Sequence, residues 1–337
     1  MPASKMRDTH IALAHGNGGR MMRELIEQIF APALANPTLD THADAVALPR
    51  IAGELMVTTD GFTVQPLEFP GGDIGSLAVH GTVNDLAVAG ATPLYLTLNA
   101  FIEEGFEIAC LRRLAESIGR AARACGVAVV AGDTKVVGRG ECDGVYFATT
   151  GIGARRQDAQ LGTRHIRPGD VVLVSGPVGD HGAAVMLARE EFGMRGDLRS
   201  DAASVLPYAQ ALLSINGLRF MRDPTRGGLA TVLNDIVNAT GHGVRVCEAA
   251  IPIRDQVQSV CELLGYDPLY LACEGQLVAV VAATAADEAV EVLRRLAPEC
   301  ARIGRVDESS TRVVLETAFG GERVLDELED DPLPRIC

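Results

Sequence analysis

The chain has 337 residues, 47% of them hydrophobic and 22% charged, with a formal net charge of −14 and a pI near 5.0. That size points to two domains, each with a real core. The acidity argues against DNA, RNA or an anionic membrane as partner, since each would repel it. Nucleotide phosphates remain open to it where Mg2+ bridges them to carboxylates.

No apolar run follows a basic start and no stretch is long and uncharged enough to span a membrane, so a cytoplasmic protein is expected. The eight cysteines (110, 125, 142, 247, 261, 273, 300 and 337) form no C-x-x-C pair. They read mostly as small core residues in a reducing compartment rather than a zinc framework. Lys5 and Lys135 are the only lysines among 30 basic residues. Arginine stays charged, whereas an ammonium can lose its proton when desolvated, so Lys135 is a candidate proton-transfer group.

In chain order, residues 10–14 read as a short strand, followed by His15-Gly16-Asn17-Gly18-Gly19 and a helix over 20–30. A strand over 55–59 ends at Asp60-Gly61, and a helix covers 73–89. A strand covers 95–101, and an amphipathic helix over 107–125 stops at Gly126. A buried-type strand over 127–131 runs into Gly132-Asp133-Thr134-Lys135, and another strand covers 145–152. The apolar pattern lapses over 153–169, which marks a domain boundary. The second half mixes strands near 171–174, 277–281, 302–306 and 312–315 with helices from Ala183, over 229–239 and over 286–296. The last residues, Asp330-Asp331-Pro332-Leu333-Pro334-Arg335-Ile336-Cys337, hold too much proline for helix or sheet. They predict an extended, semi-stiff arm with a thiol at its tip.

Asp44, Asp60, Asp85 and Asp133 form a candidate metal set. Asp60 and Asp133 each follow an apolar strand beside glycine, where a sheet holds reactive groups rigidly. Converging carboxylates need cations, and Mg2+ with a polyphosphate suits them. Glu274 precedes an apolar strand and fits a turn residue or a base at a cleft edge. The glycine runs at 16–19 and 176–182 precede helices and fit either tight turns or anion cradles. No P-loop and no nucleophile elbow occurs.

His15-Gly16-Asn17-Gly18-Gly19, Thr59-Asp60-Gly61-Phe62, Val83-Asn84-Asp85-Leu86-Ala87-Val88-Ala89-Gly90-Ala91-Thr92-Pro93, Gly132-Asp133-Thr134-Lys135-Val136-Val137 and Asp223-Pro224-Thr225-Arg226-Gly227-Gly228 together resemble the aminoimidazole ribonucleotide synthetase-like superfamily. The ending Pro334-Arg335-Ile336-Cys337 narrows the resemblance to its hydrogenase-maturation branch, the HypE family of carbamoyl dehydratases. The resemblance implies an α/β (α+β) fold: an ATP-binding domain over 1–155 that dimerises through a β-barrel, an α+β domain over 156–316, and a flexible tail over 317–337. It implies ATP and Mg2+ held by Asp44, Asp60, Asp85 and Asp133, with Asn84 also at the nucleotide. It gives catalytic roles to Cys337, Lys135 and Glu274. A carbamoyltransferase, HypF, would load Cys337. ATP-driven dehydration would turn the thiocarbamate into a thiocyanate, and a HypC–HypD complex would take the cyanide for [NiFe] hydrogenase. Arg335 would partly offset the terminal carboxylate beside the thiol. A selenophosphate synthetase would need a reactive cysteine and a lysine near residues 13–20, which hold neither. A ribonucleotide synthetase would be expected to carry a lysine just after Gly61. A non-catalytic thiol carrier is the remaining alternative.

Overall fold

The computed structural model describes residues 8–156, 159, 161–189, 197–329, 333 and 335–337. Lys5 and the tail residues Asp330, Asp331, Pro332 and Pro334 lie outside these.

Residues 10–14 form no strand. His10 makes a single bridge to Glu107, and Leu13–His15 is a 3-10 turn in which the His15 ring accepts the Ala12 N–H at 2.9 Å. A helix follows as α1 (Arg20–Leu25), a π turn (Ile26–Phe30) and α2 (Ala31–Leu34). Then come β1 (Glu54–Phe62), a small hairpin of β2 (Glu68–Phe69) and β3 (Gly72–Asp73), α3 (Ile74–Val88), β4 (Ala91–Glu103), α4 (Ile108–Ala124), β5 (Ala128–Val137) and β6 (Val145–Arg155). The sheet order is β1-β6-β4-β5. β4 and β5 are parallel and the other pairs antiparallel. β1 and β5 run further than expected, so Asp60 and Asp133 lie within strands rather than at their ends.

Helix α3 is buried almost all round. Its start is fixed by a capping box: Asp73 accepts the N–H groups of Gly75 at 2.8 Å and Ser76 at 3.0 Å, while the Ser76 hydroxyl accepts the Asp73 N–H. One face of α3 lies on the sheet, another on α4, and its end reaches the second domain, where Ala87 and Val88 join that domain's core. The sheet face away from α3 leaves Leu55 and Val57 exposed.

The second domain comprises β7 (Val171–Val174), α5 (Asp180–Ala188), α6 (Leu206–Leu212), β8 (Leu218–Arg222), α7 (Gly228–Thr240), β9 (Gly243–Cys247), α8 (Asp255–Leu264), β10 (Val278–Val281), α9 (Ala286–Arg294), β11 (Ala301–Asp307), β12 (Val313–Glu316) and β13 (Glu322–Val324). Its sheet order is β13-β12-β9-β11-β7-β10-β8. Helix α7 packs on one face, with α6 and α9 on the other. β13 pairs with β12 and the adjoining Leu325 is fully buried. The domain therefore extends past the boundary expected at 316. Residues of α5 and α8 belong to the first domain's core, so apolar packing is continuous across the junction.

Close helix packing shows at Gly119 of α4, where an added Cβ would lie 2.0 Å from the Ala33 carbonyl oxygen. Gly119→Ala should cost about 2 kcal/mol or more through overpacking. Thermal unfolding checks this, and an unchanged midpoint would contradict so close an approach.

Candidate active site

The site is built where α3 meets the second domain. Asn84 is buried, and its amide is fully engaged. Nδ2 donates to the carbonyls of Ala203 at 3.0 Å and Glu274 at 3.3 Å, and Oδ1 accepts the Val205 N–H at 2.8 Å. The second domain's backbone thus engages both ends of the Asn84 amide. Asn84 positions Glu274. The next residue, Asp85, accepts the Thr58 hydroxyl of β1 at 2.7 Å.

Glu274 is 2% exposed. Its N–H and that of Gly275 donate to the Asp201 carboxylate at 3.1 Å and 3.2 Å. Gly275 is required there, since a Cβ would meet the Asp201 carbonyl oxygen at 1.8 Å. Burial holds the Glu274 carboxyl well above the usual range. Asp223, Asp201 and Asp60 add to this, and Arg226 opposes it. Burial, reinforced by Asp85, pushes Asp223 up to about 7, and burial takes Asp201 to about 7. Asp60 and Asp85 are also raised, chiefly by burial. The nearest cation to Asp60 is Arg226, at 3.8 Å. Carboxyls outnumber the two cations that act on this junction, Arg222 and Arg226, an excess that a metal–phosphate complex suits.

Asp133 and Lys135 lie elsewhere, exposed on β5 and paired at 2.9 Å. The ammonium holds the Asp133 carboxyl below its usual value. Asp44 and Asp133 both line a cavity of about 380 Å³ whose apolar wall includes Ile26, Phe30, Leu34, Leu98 and Val130. Gly16 packs on the same strand, where an added Cβ would meet the Val136 nitrogen at 2.6 Å.

The four aspartates therefore do not converge within one chain. Asp60 pairs with Thr149, Thr149 with Leu98, and Leu98 with Gly132 beside Asp133. Three strand spacings make that roughly 14 Å, too far for one ion. Among the described residues no three His, Cys, Asp or Glu side chains are grouped to hold a metal.

The end of the chain is seated on an extension of β1. The Thr63 N–H donates to the Cys337 carbonyl at 3.1 Å and the Gln65 N–H to that of Arg335 at 3.2 Å. Ile336 is buried. Arg335 is the only non-glycine residue with positive φ, +58°, among the described residues. Its guanidinium donates to the Thr63 carbonyl, pairs with Asp143 and stacks over Tyr146.

The 176–182 turn is no anion cradle. Its N–H groups on Val178 and Gly182 donate to the carbonyls of Pro252 and Ala272, each at 3.0 Å, and that of Gly179 to the Cys273 sulfur at 3.1 Å.

The N-terminal domain family of AIR synthase related proteins matches residues 42–154, and the C-terminal domain family matches 167–316. Carbamoyl dehydratase HypE of Azotobacter vinelandii is 45% identical, with 98% of each chain covered. The chain belongs to the HypE family of carbamoyl dehydratases. A crystal structure of the hydrogenase maturation protein HypE in complex with ATP superposes with a TM-score of 0.92 at 44% identity, over 96% of this chain and 99% of that one. HypE in a crystal structure of a HypE–HypF complex superposes with a TM-score of 0.79 at 42% identity, over 90% and 99%. These agree with the resemblance and the mixed two-domain fold read from sequence.

Sequence reasoning gave Asp201, Asp223 and Arg226 no role. The Asp-Pro-Thr-Arg-Gly-Gly motif was a signal for the last two; nothing local marks Asp201.

A carboxyl whose folded value is raised supports stability below its unfolded value and loses that support as pH rises. Glu274→Gln, which does not titrate, should match the parent near pH 4 and become more stable above about pH 5. Unfolding midpoints across that range check this, and a variant less stable at pH 8 would contradict a strained buried carboxyl.

Proposed function

We propose that the chain uses ATP to dehydrate an S-carbamoyl group on its own Cys337 to an S-cyanate, and passes the cyanide to iron of the [NiFe] hydrogenase centre. The observation that carries this reading is the seating of residues 335–337 on the strand extension three residues beyond Asp60. The terminal thiol is thereby tied to the strand that bears Asp60.

The chemistry balances simply. The thiocarbamate oxygen takes the γ-phosphoryl group of ATP while its nitrogen gives up one proton, leaving an imidate phosphate and ADP. Loss of the second nitrogen proton forms the C≡N bond and expels phosphate. Two proton transfers and an in-line phosphoryl transfer are needed. Glu274 as its carboxylate, made more basic by burial, and Lys135 as its free amine, once a second copy desolvates it, are the groups that would accept these protons. Asp60, Asp85, Asp133 and Asp44 would hold Mg2+, which neutralises phosphate charge in such transfers. Each pair supplies few ligands, which suits an ion that keeps water and phosphate in its shell. The apolar cavity beside Asp44 and Asp133 has the size and lining for a nucleotide base.

A homodimer reconciles the separated halves. Among the described residues β1 and β5 are unpaired sheet edges, and the uncovered face carries Leu55 and Val57. A second copy closing edge to edge would complete a barrel and bury that face. It would also place Asp60, Asp85 and Glu274 of one copy beside Asp133 and Lys135 of the other. HypF as carbamoyl donor and HypC–HypD as cyanide acceptor complete the reading, in the cytoplasm. Among the described residues no helix is long and apolar enough to cross a membrane.

Incubation with the carbamoyltransferase, carbamoyl phosphate and Mg·ATP, followed by intact mass of the C-terminal peptide, tests the function. The parent should gain a carbamoyl group on Cys337 and then lose one water, the second step only with hydrolysable ATP. An adduct that never loses water would make the chain a carrier. Cys337→Ala should accept no carbamoyl group yet bind ATP, and loading at another cysteine would contradict this. Lys135→Arg and Glu274→Gln should each load but not dehydrate. Mixed dimers of the two should regain part of the activity, and no recovery would place both groups in one chain's site.

A further inference from the structure

His181, at the second position of α5, has no place in the chemistry above, yet it is fully buried and contacts the end of the chain. Its Nε2 lies 2.7 Å from the Ile336 carbonyl oxygen and its Nδ1 2.7 Å from the Ser200 hydroxyl. A carbonyl can only accept, so Nε2 carries the proton and Nδ1 accepts from Ser200. Ser200 is itself fixed, through its N–H to the Pro70 carbonyl at 2.8 Å and its oxygen to the Ala202 N–H at 3.0 Å. The Phe69 ring lies edge-on to the imidazole at 5.4 Å. Burial keeps the imidazole neutral, with its value lowered to about 4.

We propose that His181 is a positioning residue for the dehydration step: it fixes the register of the seated C-terminal end and so aims Cys337. The edge bonds from Thr63 and Gln65 can exchange with water when the tail lifts, so they discriminate weakly between registers. The His181 bond cannot. A shift of one residue along β1 would turn the Cys337 side chain to the opposite face and leave a buried donor unsatisfied. Ile336 and Leu333 supply apolar anchoring, and the imidazole supplies alignment.

The proposal rests on Cys337 being the carrier of the reacting group, so its test includes a reading independent of turnover. Parent, His181→Leu and His181→Gln dimers are compared, Gln keeping an N–H donor at a similar reach. Alkylation of Cys337, followed on the C-terminal peptide, should be at least about fivefold faster in the Leu variant. Single-turnover dehydration of preloaded protein at saturating ATP should slow by a similar factor. Loading by the carbamoyltransferase and ATP affinity should not fall, and Gln should restore much of both altered rates. Unchanged alkylation and dehydration in His181→Leu would overturn the proposal, as would a slow Leu variant that Gln leaves equally slow. Should the Leu variant not fold, Ser200→Ala, which frees the ring tautomer, should show the same two changes in smaller measure, and its failure to do so would also overturn the proposal. A parent that alkylates as expected but never dehydrates would instead overturn the function.

Discussion

Helix α3 has almost no solvent face, and the site depends on that constraint. Successive residues on a helix point about 100° apart. On a surface helix one of any two neighbours would commonly face water. Here Asn84 points into the second domain and Asp85 toward β1. One peptide unit thus fixes the distance between Glu274, whose carbonyl Asn84 holds, and the strand that bears Asp60. The domains cannot rotate freely about their linker without tearing three hydrogen bonds from a buried amide, each a group that is costly to leave unsatisfied.

The same rigidity explains why carboxylates can be crowded at the junction. Asp223, Asp201 and Asp60 raise Glu274, and Asp85 and Asp60 raise Asp223, and a loose interface would relax by swinging them apart or admitting water. The packing of α3 and α5 against both domains prevents that. The fold therefore stores an electrostatic strain that a metal-bound polyphosphate would relieve, which ties ligand affinity to the stability of the interface.

Much of this was legible in the chain. The Gly126 stop and the strand into Asp133 follow from local chemistry that tertiary packing did not overrule. The motifs also carried the family. What sequence could not supply was geometry set by sheet order. Asp60 and Asp133 sit in similar local contexts and looked convergent, yet β1 and β5 occupy opposite edges, and nothing local encodes which strands become edges. Asn84 is placed at the nucleotide only by the family resemblance. Only the long-range return of residues 201–205 shows that its amide is saturated. Asp201 gained its role wholly from burial against residues 274 and 275, a contact between segments far apart in the chain.

The end of the chain shows the converse, an arm expected to be flexible whose last residues are seated. β1 offers an open strand edge just past Asp60, and the carbonyls of Cys337 and Arg335 accept the N–H groups of its extension. Backbone pairing is indifferent to side chains, so it gives affinity without aim. Aim must come from groups that recognise one position only. The positive φ of Arg335, its ion pair with Asp143 and the imidazole at the Ile336 carbonyl are such groups, drawn from a loop, a strand extension and a helix start. The glycine-rich turn at 176–182 fits this picture better than it fits anion binding. The N–H groups of Val178, Gly179 and Gly182 are held by protein acceptors, which stiffens the turn, and a stiff turn can present one buried ring to the end of the same chain.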